Sequence, residues 1–553
     1  MQKVMRLWHT VRWLRPVQVW GRLWFMLYRP RPDLRPPSTT RKAVAGWTPC
    51  FRTASMTGPR SFRFLNVERE FASAADWNRS DWPKLWLYNL HYFDDLVADK
   101  ADARRGWHRE LIRRWIDENP PARGNGWEPY PTSLRITNWI KWVLTGNEPV
   151  EGMLDSLAIQ ARHLSRRLEY QFLGNHLFVN AKALVYAGSF FEGPQAAKWL
   201  QIGLGILDRE VQEQILTDGG HFERSPMYHS LILEDILDLI TLADTCPKLV
   251  SLETRTENWR FASEKMLKWL DAMTHPDQGI SFFNDAAFAI APTPAALREY
   301  AMRAGVEFKL KPEVRTGVTA LRESGYVRVD AAPWTVLFDV APVGPDYVPA
   351  HAHADTLSLE LSHGNQRVLC NSGTSEYGIG RQRDWERSTA AHNTVEIDGE
   401  NSSEVWSGFR VARRARPFGL EIGEARGLLV RCAHDGYRRL RGRPVHRRAI
   451  EAGVEQVKII DCIAGDGVHR IVGRFGFHPT VVPKQLDSST WVLELPDGNV
   501  LQLKISGADS VVVEKGTFAP EFGLLLERNV LVWHKEARLP VQVDVVIRRR
   551  AAD

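Results

Sequence analysis

The strongest constraint on the fold is a change of hydrophobic period close to Gly325. Before it, apolar residues recur at helical spacing. In HSLILEDILDLITLAD (229–244), Leu231, Leu233, Ile236, Leu237 and Ile240 approximate an i, i+3, i+4 series with acids on the other side. That pattern predicts an amphipathic helix with one buried stripe. Similar segments recur near 107–117, 134–145, 152–169, 176–190, 197–216 and 257–274, several of them separated by breaks such as ENPPARGNG and FEGPQ. After Gly325 the period becomes two. GYVRVD, WTVLFDV, DTLSLELS, QRVLCNS, NTVEIDG, VEQVKIID, WVLELPD, VLQLKIS, NVLVWHK and VQVDVVIRR read as strands, with turn signals HGNQ and PDGN between them.

The expected architecture is therefore an α+β chain of more than one domain. Residues 81–315 form an all-α domain and 316–553 an antiparallel β-sandwich. Residues 1–80 precede them as a basic helix followed by an irregular connector, rich in Pro, Arg, Ser and Thr, with one strand at most. The junction of the two large domains is the natural place for a ligand cleft.

Composition narrows the class. Hydrophobic residues make up 44% of the chain and charged residues 25%, as in ordinary globular proteins. There are 21 Trp, which can stack on sugar rings but more often fill cores. The net charge of +6 suits an acidic partner, although 66 acidic residues are interspersed with 72 basic ones. No nucleic-acid motif accompanies that charge. The five cysteines, Cys50, Cys246, Cys370, Cys432 and Cys462, are widely spaced without CxxC, which argues against a disulfide framework or a thiolate zinc site. The opening MQKVMRLWHTVRWLRPVQVWGRLWFMLY has no uninterrupted apolar core and no small-residue cleavage site, so no signal peptide is expected. The expected setting is cytoplasmic or peripheral to the inner membrane, with the periplasm left open. This segment reads either as a basic, aromatic helix on an anionic membrane surface or as a helix packed on the domain behind it.

Four clusters can carry chemistry. Gly174-Asn175-His176 precedes a helix, where Asn175 could equally be an N-cap and His176 a core histidine. In DGGHFERSPMYHS (218–230), Ser225-Pro226 start a helix, and Tyr228 lies in its first turns behind Glu223 and Arg224. In HAHAD (351–355), His351, His353 and Asp355 alternate and share one side if the segment is extended. Three polar groups on one face need partners, as in an acid–base or metal-ligand edge. In the fourth, RSTAAHNTVEIDG (387–399), His392 and Asn393 stand before a strand. Arg381, Arg383 and Arg387 lie in or ahead of it, suited to carboxylate or sulfate or simply solvated.

Together with LYNLHYFDDL (87–96) and WEPYPTSLRITNWIKW (127–142), these motifs resemble, in order, the heparinase II/III-like polysaccharide lyases. The resemblance runs from about Trp86 to residue 550, and NSSEVWSGFRVARRA (401–415) is similar to a branch associated with bacterial exopolysaccharide and lipopolysaccharide loci. It implies an incomplete (α/α) toroid followed by the sandwich, with the active site between them. It also implies a carbon–oxygen lyase that cleaves an acidic, uronate-containing polysaccharide by β-elimination, removing the C5 proton and expelling the C4 oxygen. Asn175 would neutralise the uronate carboxylate and His176 would stand beside it. Tyr228 would protonate the leaving group and, for some epimers, take the C5 proton. His351 would be the base for the other epimer. Nearby cations such as Arg224 or the Arg387 loop would help Tyr228 ionise. Tyr88, His91, Trp127, Tyr130, Arg135, Glu223, Arg224, Arg383 and Arg387 are the expected substrate-binding residues. No cofactor is required, but the resemblance carries a structural zinc on His353 and His392. Its usual third ligand, an Asp in a D-x-G turn, is here replaced in Asn371-Ser372-Gly373, with Asp355 the alternative donor although no spacing marks it.

Two other readings use the same scaffold. One is a catalytically altered glycan-binding or processing protein of polysaccharide biosynthesis. The other is a glycoside hydrolase, which needs two cleft carboxylates about 5–10 Å apart. Asp218, Glu223 and Asp285 are the candidates for such a pair.

Overall fold

The computed structural model describes residues 2–42, 46–246, 249–309, 316–424 and 427–550. All seven helical segments read from the periodicity are helices, from Arg105–Glu118 through Pro226–Thr245 to Val250–Ala272. Lys84–Tyr92 and Pro294–Arg303 are helices as well. Their apolar stripes, including Trp139, Leu184, Leu233 and Leu237, form one core. The connector contributes to that core and is more regular than expected. It folds into a three-stranded sheet, Met56–Gly58, Ser61–Phe64 and Val67–Glu70. Phe62 and Trp47 pack into the helical core, and the Trp86 indole donates to the Val67 carbonyl at 3.0 Å. Pro16 divides the expected N-terminal helix into Gln2–Val11 and Pro16–Leu27, because proline has no N–H for a continuous helix and suits a first turn.

The expected domain boundary at 315/316 touches residues outside those described, and the first described strand after it is Thr316–Leu321. All ten period-two runs lie on strands. The strands from Thr316 to Leu369 make a five-stranded antiparallel meander. A bridge from Leu369 to Phe477 joins it to a four-stranded sheet. An eight-stranded antiparallel sheet faces both. Alternation is clean in its inner strands: in Val445–Ala452, His446, Arg448, Ile450 and Ala452 point inward. Val329, Val336, Ile459, Ile471 and Val545 fill the space between the layers.

The two domains meet through hydrogen bonds that bury polar groups in pairs, as an interior requires. The Arg224 guanidinium donates to the Ser324 carbonyl at 2.9 Å, and the Tyr326 hydroxyl returns a bond to the Arg224 carbonyl at 2.7 Å. His275 bonds Glu360 at 2.8 Å, and Arg328 donates to the Thr274 carbonyl at 2.6 Å. This contact fixes the helix start at Pro226 and the loop 282–288 against the HAHAD segment.

Candidate active site

Ser225 caps the Pro226–Thr245 helix by accepting from the Tyr228 N–H at 3.1 Å, as the Ser-Pro start predicts. Its hydroxyl also donates to the Asp285 carbonyl, so one residue sets both Tyr228 and the loop that carries Asp285. The Tyr228 ring stacks on the His351 ring with centroids 3.9 Å apart. The Tyr228 hydroxyl meets the Tyr377 hydroxyl at 2.9 Å, and Tyr377 stands 3.5 Å from His351 Nδ1.

Asp285 organises the rest. It is fully buried, and its two oxygens receive Arg383, His351 Nδ1 and His353 Nε2, the two imidazoles at 2.8 Å each. Burial opposes its charge, but Arg383 and the imidazoles win and hold the carboxyl well below the usual carboxylate range. An ionised Asp285 keeps the His351 proton on Nδ1. The lone pair is then on Nε2, which faces Glu223 at 3.6 Å. HAHAD is not an extended strand, since regular pairing begins only at Leu359. His351 and His353 nevertheless converge on Asp285, while Asp355 accepts from the Asn284 N–H at 3.1 Å.

Across from His351, the helix Gly174–Phe190 begins with Leu173 and Gly174 in left-handed conformations. Leu173 rather than Asn175 is the N-cap, so the capping role for Asn175 does not hold. The Asn175 side chain is nearly buried and makes no hydrogen bond with the described residues, which leaves its amide available. Beside it, Glu223 is 1% exposed and neither oxygen closes a hydrogen bond. Burial pushes the Glu223 carboxyl up, with His351 and the Asn175 backbone amide pulling more weakly the other way. A side chain on Gly174 would approach Glu223 Oε1 to 3.0 Å, so glycine keeps the two walls close. His176 is half-buried between Tyr130 and Phe172 and bonds Glu169 at 3.2 Å. Burial alone would lower its pKa, but the Glu169 carboxylate outweighs it and the net shift is upward.

Thus Asn175, His176, Tyr228, His351 and Glu223 share one site, with Tyr130 packed on its edge. The half-buried Tyr88 hydroxyl donates to Glu128. Several other expected contact residues are scaffold. His91 is fully buried, with one ring nitrogen on the Trp77 carbonyl and the other accepting from Trp115. Arg135 is fully buried against Gln160 and the Gly126 carbonyl, and Trp127 donates to the Asn119 carbonyl. Arg383 and Arg387 lie in or at the end of a short helix, Arg381–Glu386, rather than a solvated loop. Arg383 is spent on Asp285 and Arg387 on the Ala352 carbonyl. Neither Arg387 nor Arg224 reaches Tyr228. The phenol is instead driven well above its ordinary value by burial, then by Tyr377. Help for Tyr228 ionisation is therefore absent from the described residues.

The zinc expectation meets a poor ligand set. His353 Nδ1 and His392 Nε2 lie 3.1 Å apart. The Asn371 carboxamide oxygen is occupied by the Asn393 N–H at 3.1 Å. Among the described residues no three His, Cys, Asp or Glu side chains are grouped to hold a metal ion. Two imidazoles without a third donor do not fit a four-coordinate structural zinc. The hydrolase reading also loses its pair. Asp218 is tied to the Ser324 N–H and hydroxyl, and Asp285 is sealed under Arg383, leaving Glu223 alone. Sequence reasoning missed Tyr377 and Glu169, and it weighed Asp285 only as a hydrolase carboxylate.

A helical toroid joined to an antiparallel sandwich is an architecture shared with solved lyases. A crystal structure of heparinase III superposes with a TM-score of 0.70 at 18% identity, covering 98% of this chain and 86% of that one. The models "Heparinase II/III N-terminus" and "Heparinase II/III-like, C-terminal" match residues 106–302 and 313–545. The chain belongs to the heparinase II/III-like family. It is 23% identical over 367 residues to a heparin-sulfate lyase of Bacteroides stercoris, covering 63% of this chain and 52% of that protein. It is also 25% identical over 423 residues to FtsZ-localized protein C of Caulobacter vibrioides, covering 71% of this chain and 69% of that protein. The chain spans about half the length, or less, of the lyase relatives it matches.

Proposed function

We propose that this protein is a polysaccharide lyase that cleaves an acidic, uronate-containing glycan by β-elimination. The observation that carries this reading is Tyr228 stacked on a His351 whose tautomer is fixed by buried Asp285. His351 Nε2 takes the C5 proton. The C5 electron pair forms the C4=C5 double bond, and the C4–O bond breaks. The departing oxygen takes the Tyr228 proton. A phenol held above its ordinary pKa is protonated at neutral pH, which suits the acid role and not the base role. The Asn175 amide can donate to the substrate carboxylate as the enolate develops, and burial of Glu223 beside it favours the neutral carboxyl, the form that can donate as well. Afterwards His351 Nε2 gives its extra proton to solvent and Tyr228 takes one back from solvent, with the Tyr377 hydroxyl as its hydrogen-bond partner and the Nδ1 proton left on Asp285.

The test is release of ultraviolet-absorbing unsaturated uronate from a panel of uronate polymers. Asn175→Ala, Tyr228→Phe and His351→Ala are each expected to lower kcat by about 100-fold or more. Full activity of Tyr228→Phe on a cleaved polymer would remove the assignment. A second reading is supported by the Caulobacter relative, which is named for localisation with FtsZ and is matched over more of its length than the lyases. On that reading the cleft binds glycan within an assembly and does not cut it. Polymer binding without unsaturated product from any member of the panel would favour it.

A further inference from the structure

The two N-terminal helices are amphipathic the wrong way round for a packed element. Val4, Leu7, Trp8 and Val11 follow i, i+3, i+4, i+7 spacing, and so do Trp20, Leu23, Trp24 and Leu27. Such stripes ordinarily face a core. Here all eight side chains are exposed, Trp20 at 72% and Leu27 at 83%. The helices hold the body with their other faces. Gln18 donates to the Tyr347 carbonyl at 2.9 Å, and the Arg15 guanidinium lies 3.6 Å over the Tyr347 ring and pairs with Glu213. At Gly21 the backbone runs so close to Tyr170 and Gln171 that a Cβ would meet the Gln171 nitrogen at 2.8 Å. Arg167 covers the Phe25 ring, and Trp406 donates to Thr10 at 3.2 Å. The orientation is therefore fixed by contacts to both domains.

We propose that this outward face docks the protein on an anionic lipid surface, with both helices lying in the interface. Charge selects that occupant. Lys3, Arg6, Arg12, Arg15, Arg22, Arg29 and Arg31 precede the first acidic residue, Asp33. Lys3, Arg6, Arg22 and Arg29 make no ion pair with the described residues. Tryptophans flanked by cations suit the headgroup boundary, where the ring is half-immersed and the charge meets lipid phosphate. No helix among the described residues is long and apolar enough to cross a membrane, so the mode is surface-lying. Arg15 and Gln18 grip Tyr347, four residues before His351, so the docked face and the cleft share one loop.

The test is co-sedimentation of the full chain with vesicles of phosphatidylcholine alone or mixed with phosphatidylglycerol. Binding to the anionic vesicles is expected to exceed binding to neutral ones at least tenfold and to fall with salt. Trp20→Glu with Trp24→Glu is expected to reduce it at least tenfold with an unchanged melting temperature. Arg6→Ala and Arg22→Ala are expected to cost about fivefold each. Failure to bind anionic vesicles, or binding that the double variant leaves intact, would overturn the proposal. So would a lipid-free dimer, seen by sedimentation velocity, that the double variant dissolves, because a second copy would then be the occupant.

Discussion

Asp238 and Asp285 are both fully buried, and both are ringed by cations. Asp238 lies within the toroid, where it receives Lys141, Lys182 and the Tyr300 hydroxyl, the last at 2.8 Å. Lys182 also bonds Asp235 at 2.5 Å, and Arg52 pairs with Glu234 nearby. That cluster closes on itself. Asp285 lies between the domains, and one of its partners, His351, turns its second nitrogen toward an unbonded carboxyl. The comparison teaches that buried charge alone does not mark a reactive centre. What distinguishes the Asp285 cluster is a chain of groups leading from the buried ion to side chains with unused hydrogen-bonding capacity.

The largest expected effects test that distinction directly. Asp285→Asn leaves Arg383 buried without its counter-ion, and Asp238→Asn does the same to Lys141, while Lys182 keeps Asp235. Removing one member of a buried ion pair costs about 3–5 kcal/mol, so both variants should melt lower. They should separate in kinetics. Asp285→Asn loses control of the His351 tautomer and is expected to lower kcat by about 10³-fold, while folded Asp238→Asn keeps kcat within about threefold. Equal kcat losses in folded protein would show that the two clusters are not different in kind. A smaller step removes one hydroxyl from each. Tyr377→Phe breaks the bridge between Tyr228 and His351 and is expected to lower kcat by about tenfold to 100-fold. Tyr300→Phe removes a bond to a charged carboxylate, costing about 1.5–3 kcal/mol, and leaves kcat unchanged. Stopped-flow product release with thermal melts on all four variants would decide both contrasts.

How far the sequence led follows the same division. The seven helices and ten strands were legible because each buries one stripe or one face, and the period reports that. Tyr228 and His351 were legible because they sit in dense motifs in family order. Tyr377 was not. It lies in an aperiodic loop and gains its role only by meeting a hydroxyl 149 positions away. Asp285 follows Asn284, whose φ of 56° starts a turn that no hydrophobic pattern announces. Arg383 and Arg387 lie in a basic, Gly-rich stretch that looks solvated until buried Asp285 is known to face Arg383 and the Ala352 carbonyl to face Arg387. The N-terminal stripes were visible too, but periodicity cannot say whether a stripe faces a core or the outside.

Glu223 sharpens the comparison with the smallest effect. In the toroid cluster Asp238 has Lys141 and Lys182, whereas Glu223 closes no hydrogen bond and has only His351 at 3.6 Å. Burial raises its pKa above the ordinary glutamate value. The folded state then binds more protons than the unfolded chain once the pH passes the unfolded glutamate pKa, about 4.3. Stability contributed by this group is fully present below that pH and is lost as pH rises through the folded pKa. Glu223→Gln removes the dependence, because the amide stays neutral at every pH. The variant should therefore melt higher than the native protein at pH 7, with the gain shrinking as the pH is lowered toward 4. At the same time it loses the proton that Glu223 can share with the substrate carboxylate. Asp238→Asn should shift the melt the opposite way at pH 7. If Glu223→Gln also melts lower there, Glu223 is an ionised partner of His351, and the cleft is as fully paired as the toroid interior.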